Sequence, residues 1–102
     1  MEQRNIEQEY KDLINKNKVF LFMKGTADEP RCGFSFRVCN ILKSLGIEFK
    51  TYNILEDIQM REGVKEFANW PTYPQLYINS EFVGGCEVVE ELARNGELKK
   101  LL

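Results

Sequence analysis

Val19-Phe20-Leu21-Phe22-Met23-Lys24-Gly25-Thr26-Ala27-Asp28-Glu29-Pro30-Arg31-Cys32-Gly33-Phe34-Ser35 runs from an apolar stretch, through a polar loop, to the mouth of a helix. Val19 to Met23 is β-branched and aromatic, the composition of a short buried strand. Gly25, Asp28 and Pro30 punctuate the loop. From Phe34 an apolar face recurs at helical spacing through Val38, Ile41, Leu42 and Leu45, and Gly46 stops it as a C′ glycine. Cys32 therefore stands where a helix begins. Unpaired N–H groups and the positive end of the helix dipole favour a thiolate there, and Arg31 and Lys24 add two cations. The thiolate is the form that attacks disulfides and binds metal. A free cysteine is commonly a small buried hydrophobe instead. The polar, glycine- and proline-punctuated surroundings of Cys32 speak against burial.

The flanking patterns complete the element order. Ile6, Tyr10, Leu13 and Ile14 predict an amphipathic helix over residues 6–14. Phe49 to Ile54 reads as a second strand. Asp57 is placed to cap a helix running to about Asn69, with Met60, Val64 and Phe67 inward. That helix ends near Trp70, because a residue before proline avoids the α region. Gln75 to Ile78 and Phe82 to Val83 are short strands around an Asn79-Ser80 turn. Gly84-Gly85 breaks the chain. Val88, Val89, Leu92 and Ala93 mark another helix, closed by Gly96, and Leu98, Leu101 and Leu102 predict one or two final helical turns. A βαβ unit followed by a hairpin and a helix is an α/β fold, a small mixed sheet with helices on its faces.

Composition bounds what such a fold does here. The chain has 102 residues, 43% of them hydrophobic, and a net charge of −2. That supports one domain over residues 1–102 with a real core and no room for a second. The slightly acidic balance argues against nucleic acid, whose binders are basic. Val19 to Met23 is far too short to span a membrane. The polar N-terminus, Met1-Glu2-Gln3-Arg4-Asn5, lacks a signal-peptide pattern. Three cysteines, an odd number, point to reduced thiols in an intracellular, reducing compartment rather than a disulfide scaffold; whether that is cytoplasm, mitochondrion or plastid stays open. The chain has no histidine. This excludes Ser-His and Cys-His nucleophile pairs and histidine-bearing zinc or Rieske-type sites. Three cysteines cannot complete a four-thiolate site within one chain, so any such site borrows ligands from a second chain or a small thiol.

In Cys32-x-x-Ser35 a serine takes the place of a local resolving cysteine. Cys39 is no substitute: seven residues along a helix rise about 10 Å, beyond the roughly 7 Å Cα limit for a disulfide, so Cys39 reads as packing. Cys86 follows Gly84-Gly85 and opens a helix, a second thiol at a helix N-terminus, and its role as a resolving thiol stays open. Arg61 and Lys65 form a basic stripe or a merely solvated helix face. Phe36 lies opposite the apolar face of its helix, as a partner contact or an ordinary exposed residue.

Cys32-Gly33-Phe34-Ser35 resembles the signature of the monothiol, CGFS-type glutaredoxins, within the thioredoxin fold. Met23-Lys24-Gly25, Arg61, Trp70-Pro71-Thr72-Tyr73-Pro74 and Gly84-Gly85-Cys86-Glu87 resemble that family's other motifs in the same order, over roughly residues 6–102. The resemblance implies a four-stranded mixed sheet, a cis peptide before Pro74 and a glutathione site. Lys24 and Arg61 suit the glycyl carboxylate. Thr72, Tyr73 and Pro74 offer main-chain groups of Tyr73 to the cysteinyl part. Cys86 and Glu87 meet the γ-glutamyl end, through N–H groups at a helix start and the Glu87 carboxylate; the family usually has aspartate at Glu87. Trp70 is expected as loop support rather than a ligand contact.

Two functions follow from the resemblance. In the first, Cys32 from each of two chains and the thiol of one glutathione each hold a [2Fe–2S] cluster. The cluster-bound form is then a homodimer that carries and transfers iron–sulfur clusters, with BolA-like and apo-protein acceptors as partners. In the second, the chain is a glutathione-dependent thiol–disulfide oxidoreductase with Cys32 as the catalytic nucleophile. Monothiol members of this type are typically poor at that reaction, which ranks it second.

Overall fold

The computed structural model describes residues 3–102; Met1 and Glu2 of the polar N-terminal segment lie outside the described residues. The elements are α1 (Ile6–Lys16), β1 (Val19–Met23), α2 (Gly33–Ser44), β2 (Lys50–Asn53), α3 (Ile58–Ala68), β3 (Gln75–Ile78), β4 (Glu81–Gly84) and α4 (Cys86–Arg94). Short 3₁₀ turns occupy Ile54–Glu56 and Lys99–Leu101. The strands form one mixed sheet in the order β2-β1-β3-β4. β1 runs parallel to β2 and antiparallel to β3, and β4 closes the hairpin antiparallel to β3. This is the α/β architecture read from the sequence.

The sheet separates two apolar layers. Val19, Leu21 and Met23 of β1 pack on one side with Val38, Cys39 and Leu42 of α2, Val89 of α4 and Leu98. Phe20 and Phe22 point to the other side, against Tyr10 and Ile14 of α1 and Met60 and Val64 of α3. Strand side chains alternate, so a central strand covered on both faces turns buried residues to both layers. β1 meets this with five apolar residues, every one buried. No helix among the described residues is long and apolar enough to cross a membrane.

Local signals set most boundaries. The Asp57 side chain accepts the Met60 N–H and caps α3. Gly46, at φ +70°, follows the last turn of α2, and Gly96, at φ +77°, follows α4. Asn79 and Ser80 both take positive φ, as a tight hairpin requires. The two edge strands differ from expectation. β2 stops at Asn53, because the Asn53 side chain turns to accept the Leu55 N–H at 3.1 Å and starts a 3₁₀ turn at Ile54. β4 begins at Glu81, which pairs with Ile78. α3 ends where expected, at Asn69, left-handed at φ 51°; asparagine tolerates that conformation. Phe34 departs furthest from its predicted place. It belongs to the apolar register of α2, yet it is 54% exposed at the open end of that face.

Candidate functional site

Three segments meet at one end of the sheet. They are the β1–α2 loop with Cys32, the Trp70–Pro74 loop before β3, and the start of α4 after Gly84-Gly85. Together with α3 they enclose a cleft of about 530 Å³. Lys24, Cys32, Arg61, Thr72, Tyr73, Pro74, Cys86 and Glu87 all line it. Every residue expected at the glutathione site thus lines one cleft. Lys65 lines it too, although its ammonium already pairs with Glu62 at 2.9 Å. Lys24 and Arg61 have no carboxylate partner among the described residues.

Cys32 is the N-cap of α2 and makes no capping hydrogen bond as a thiol. Partial burial opposes its ionisation, but the Ser35 and Phe34 N–H groups and the Lys24 ammonium outweigh that. The thiol is held below its ordinary pKa. Of the two cations expected to help, Lys24 is the one that does. The Arg31 guanidinium lies 3.6 Å from the Glu29 carboxylate on the exposed side of the loop.

The loop that presents Cys32 is tightly pinned. Gly25 sits at φ +93°, and a Cβ there would lie 2.4 Å from the Glu29 carbonyl oxygen. The Gly25 N–H donates to Asn53 Oδ1 at 2.9 Å, and the Arg31 N–H donates to the Lys24 carbonyl at 2.8 Å. Ser35 is fully buried, and its hydroxyl accepts the Lys24 N–H at 3.1 Å. The serine in the resolving position is thus a fastener between the end of β1 and the first turn of α2.

The other two cysteines differ in kind. Cys39 is buried, with its Sγ 3.5 Å from Met23 Sδ, and burial pushes its thiol up. Cys86, read as a second thiol at a helix N-terminus, is buried at 7% exposure. Burial pushes it up and the Glu90 carboxylate pushes it further, against the pull of Arg37. The helix start does not win there, because burial first, and then a carboxylate one turn along, disfavour a negative charge.

Opposite Cys32, the peptide between Tyr73 and Pro74 is cis. The Tyr73 hydroxyl donates to the Arg61 carbonyl at 2.7 Å, tying the loop to α3. The Tyr73 main-chain N–H and C=O have no hydrogen-bond partner among the described residues. Gly85, the N-cap of α4, has no side chain to cap the helix, which leaves first-turn N–H groups free to meet an anion. Gly84 lets the chain turn tightly into α4: at φ +150°, a Cβ there would lie 2.7 Å from the Val88 Cβ.

Trp70 supports the loop by packing on Phe82, ring centroids 5.3 Å apart, and its ring also lines the cleft. Its buried indole N–H has no partner among the described residues. Phe34 and Val88, not anticipated as site residues, add apolar walls. The Arg37 guanidinium stands 5.6 Å from the Phe34 ring centroid and pairs with Glu90 at 2.6 Å. Phe36 is exposed, as its position opposite the apolar face requires. Among the described residues no group of three or more His, Cys, Asp or Glu could hold a metal ion. The arrangement suits a short extended molecule carrying carboxylates, with a thiol or disulfide against Cys32.

Known proteins agree with this description. The glutaredoxin family model matches residues 19–83. A probable monothiol glutaredoxin 2 of Rickettsia typhi is 55% identical over 102 residues, covering 100% of this chain and 91% of the relative. Other relatives are longer, and the chain spans 20% and 29% of two of them. The solution structure of reduced poplar apo GrxS14 superposes with a TM-score of 0.82 at 48% identity, over 93% of this chain and 87% of the other. The crystal structure of a buckwheat glutaredoxin–glutathione complex superposes with a TM-score of 0.85 at 25% identity, over 95% and 86%. With the Cys32-x-x-Ser35 pattern at the mouth of α2 on a thioredoxin fold, the chain belongs to the monothiol glutaredoxins.

Proposed function

We propose that the cleft binds glutathione and that Cys32, with the glutathione thiol, ligates a [2Fe–2S] cluster shared between two copies of the chain for transfer to acceptor proteins. One observation carries this reading. Cys32 is the one cysteine with an accessible, acid-shifted thiol, while Cys39 and Cys86 are buried and shifted upward. One chain thus offers a single accessible thiol as a ligand, and a cluster needs four. Two Cys32 thiolates and two glutathione thiols meet that count. Lys24 and Arg61 serve the glycyl carboxylate, the open main chain of Tyr73 serves the cysteinyl unit, and the free N–H groups of α4 with Glu87 serve the γ-glutamyl end. The complex of a buckwheat relative with glutathione supports the ligand. The cluster is cargo, and exchangeable glutathione ligands make it releasable. BolA-like and iron–sulfur acceptor proteins in a reducing, intracellular compartment are the partners this role calls for.

The test is anaerobic reconstitution with and without glutathione, followed by iron, acid-labile sulfide and mass. We expect about one cluster per two chains, with doubled mass, only when glutathione is present, and none with Cys32→Ser. A colourless monomer in every condition overturns the carrier reading.

The lowered pKa of Cys32 favours a second reading, deglutathionylation. The Cys32 thiolate attacks the glutathione sulfur of a protein–glutathione disulfide. The protein thiolate leaves and takes up a proton. A second glutathione thiolate then attacks the Cys32-bound glutathione sulfur, releasing oxidised glutathione and restoring the Cys32 thiolate. Rapid turnover of a glutathionylated substrate by a chain that holds no cluster would place this reading first.

A further inference from the structure

Gln75 is the first residue of β3 and is fully buried, a polar side chain in an otherwise apolar strand. Its amide nitrogen donates to the Trp70 carbonyl at 3.2 Å and to the Thr72 carbonyl at 3.3 Å. Both partners are acceptors only, so the nitrogen must face the loop and the oxygen must face the core. That oxygen accepts from the Tyr77 hydroxyl at 3.0 Å, and the Tyr77 oxygen accepts from the Tyr10 hydroxyl at 2.8 Å. Burial pushes the Tyr77 phenol up, which keeps it a donor. The relay therefore has one direction, from α1 through β3 into the Trp70–Pro74 loop.

The relay has a consequence at the cleft. It draws two carbonyls of the loop, those of Trp70 and Thr72, toward the protein interior. The next main-chain groups, at Tyr73, are left without an internal partner and lie at the cleft. A buried amide that used only one donor would let the loop rotate and exchange which carbonyl faces inward. Using both fixes the choice.

We propose that Gln75 is a positioning residue for ligand recognition: its carboxamide clamps the Trp70 and Thr72 carbonyls so that the Tyr73 main chain stays presented to the cysteinyl unit of glutathione. The role rests on the glutathione reading above. It is distinct from that of Cys32, because Gln75 touches neither the thiol nor the ligand and acts through the loop alone. Removing the clamp costs affinity, while the acidity of Cys32, set by α2 and Lys24, stays as it was.

The test measures three quantities on the full chain: the dissociation constant for reduced glutathione by calorimetry, the thermal midpoint, and the pH midpoint of Cys32 alkylation. Gln75→Met keeps the shape and removes the hydrogen bonds. It is expected to weaken glutathione binding about tenfold, the scale of one organising hydrogen bond, with the alkylation midpoint unmoved. Ile14→Val loosens the same apolar cluster away from the loop and is expected to lower the thermal midpoint while binding glutathione within twofold of the parent. If Gln75→Met does not fold, Gln75→Asn replaces it; its amide falls one methylene short of the carbonyls and the same loss of affinity is expected. Wild-type affinity in the Gln75 variant, or an equal loss in Ile14→Val, overturns the positioning role and leaves the glutathione reading standing. A parent chain that binds no glutathione overturns both.

Discussion

The buried Ser35 hydroxyl accepts the Lys24 main-chain N–H at 3.1 Å. Because Lys24 closes the strand side of the loop and Ser35 lies in the first turn of α2, this bond holds Cys32 between them. The Ser35 hydroxyl and N–H also act on the Cys32 thiol and lower its pKa. Ser35→Ala leaves a buried N–H unpaired and should cost about 1–3 kcal/mol. It should also move the Cys32 alkylation midpoint upward. Denaturant unfolding reads the first effect and the pH dependence of alkylation the second. An unchanged midpoint would show that the helix N–H groups and Lys24 set the thiol without the Ser35 hydroxyl.

The three thiols should separate cleanly at neutral pH. Cys32 should alkylate first, while Cys39 and Cys86 react only after unfolding, as mass spectrometry of timed quenches can show. The linkage to stability has opposite sign for Cys32 and Cys86. Cys32 is depressed on folding, so the stability it adds is fully present above the ordinary thiol pKa and is lost as pH falls through its folded value. Cys86 is raised on folding, so its contribution is present below the ordinary thiol pKa and is lost as pH rises. Lys24→Gln should raise the Cys32 midpoint, because it deletes a cation that lowers it.

Arg61 lines the cleft and has no carboxylate partner among the described residues. A cation held free in a cleft is available to an anionic ligand at full strength. Arg61→Ala should weaken glutathione binding by about tenfold, the scale of one charge-assisted hydrogen bond. The loss should shrink as salt is raised. Calorimetry at two ionic strengths checks both. Equal affinity for parent and variant would remove Arg61 from the site.

Asp57 links the N-terminus to α3. Its carboxylate receives Arg4 at 2.5 Å and the Met60 N–H at 3.2 Å, together with the Tyr52 hydroxyl. Arg4 foremost, then Tyr52 and the Met60 N–H, hold its pKa well below the usual carboxylate range, against partial burial. The stability it adds is therefore present above the ordinary aspartate pKa and lost as pH falls below it. Asp57→Ala should cost about 1 kcal/mol at neutral pH through the lost cap. Asp57→Asn should keep the cap and flatten the acid limb of the stability curve. Urea midpoints at neutral pH and near pH 3 distinguish the two effects.

Gln75 was legible only as a strand residue. A glutamine at the start of an apolar run is a signal in retrospect: a polar group that β3 buries completely must find partners. Which partners it finds depends on the loop folding back over β3, and no local pattern shows that. Phe34 failed for a related reason. Its register on α2 is apolar, but helical spacing says only which face a residue shares, not where the covering sheet ends. The state of the Cys86 thiol was left open by its helix-start position, because that position shows neither the depth of its burial nor the effect of Glu90 one turn along the same helix.

What the sequence determined by itself was local or periodic. The α1 spacing, the apolar β1, the Asp57 cap, the Gly46 stop, the Asn79-Ser80 turn and Cys32 at the mouth of a helix all depend on residues within a few positions of one another. The element order and the family pattern followed from them. The tertiary structure brought eight residues from four segments to one cleft, and it alone decided that Lys24 rather than Arg31 acts on Cys32, that only one of three thiols is poised to react, and that Gln75 reaches the loop. These depend on distances between residues far apart in the chain and on how much water remains between them, which a linear pattern does not contain.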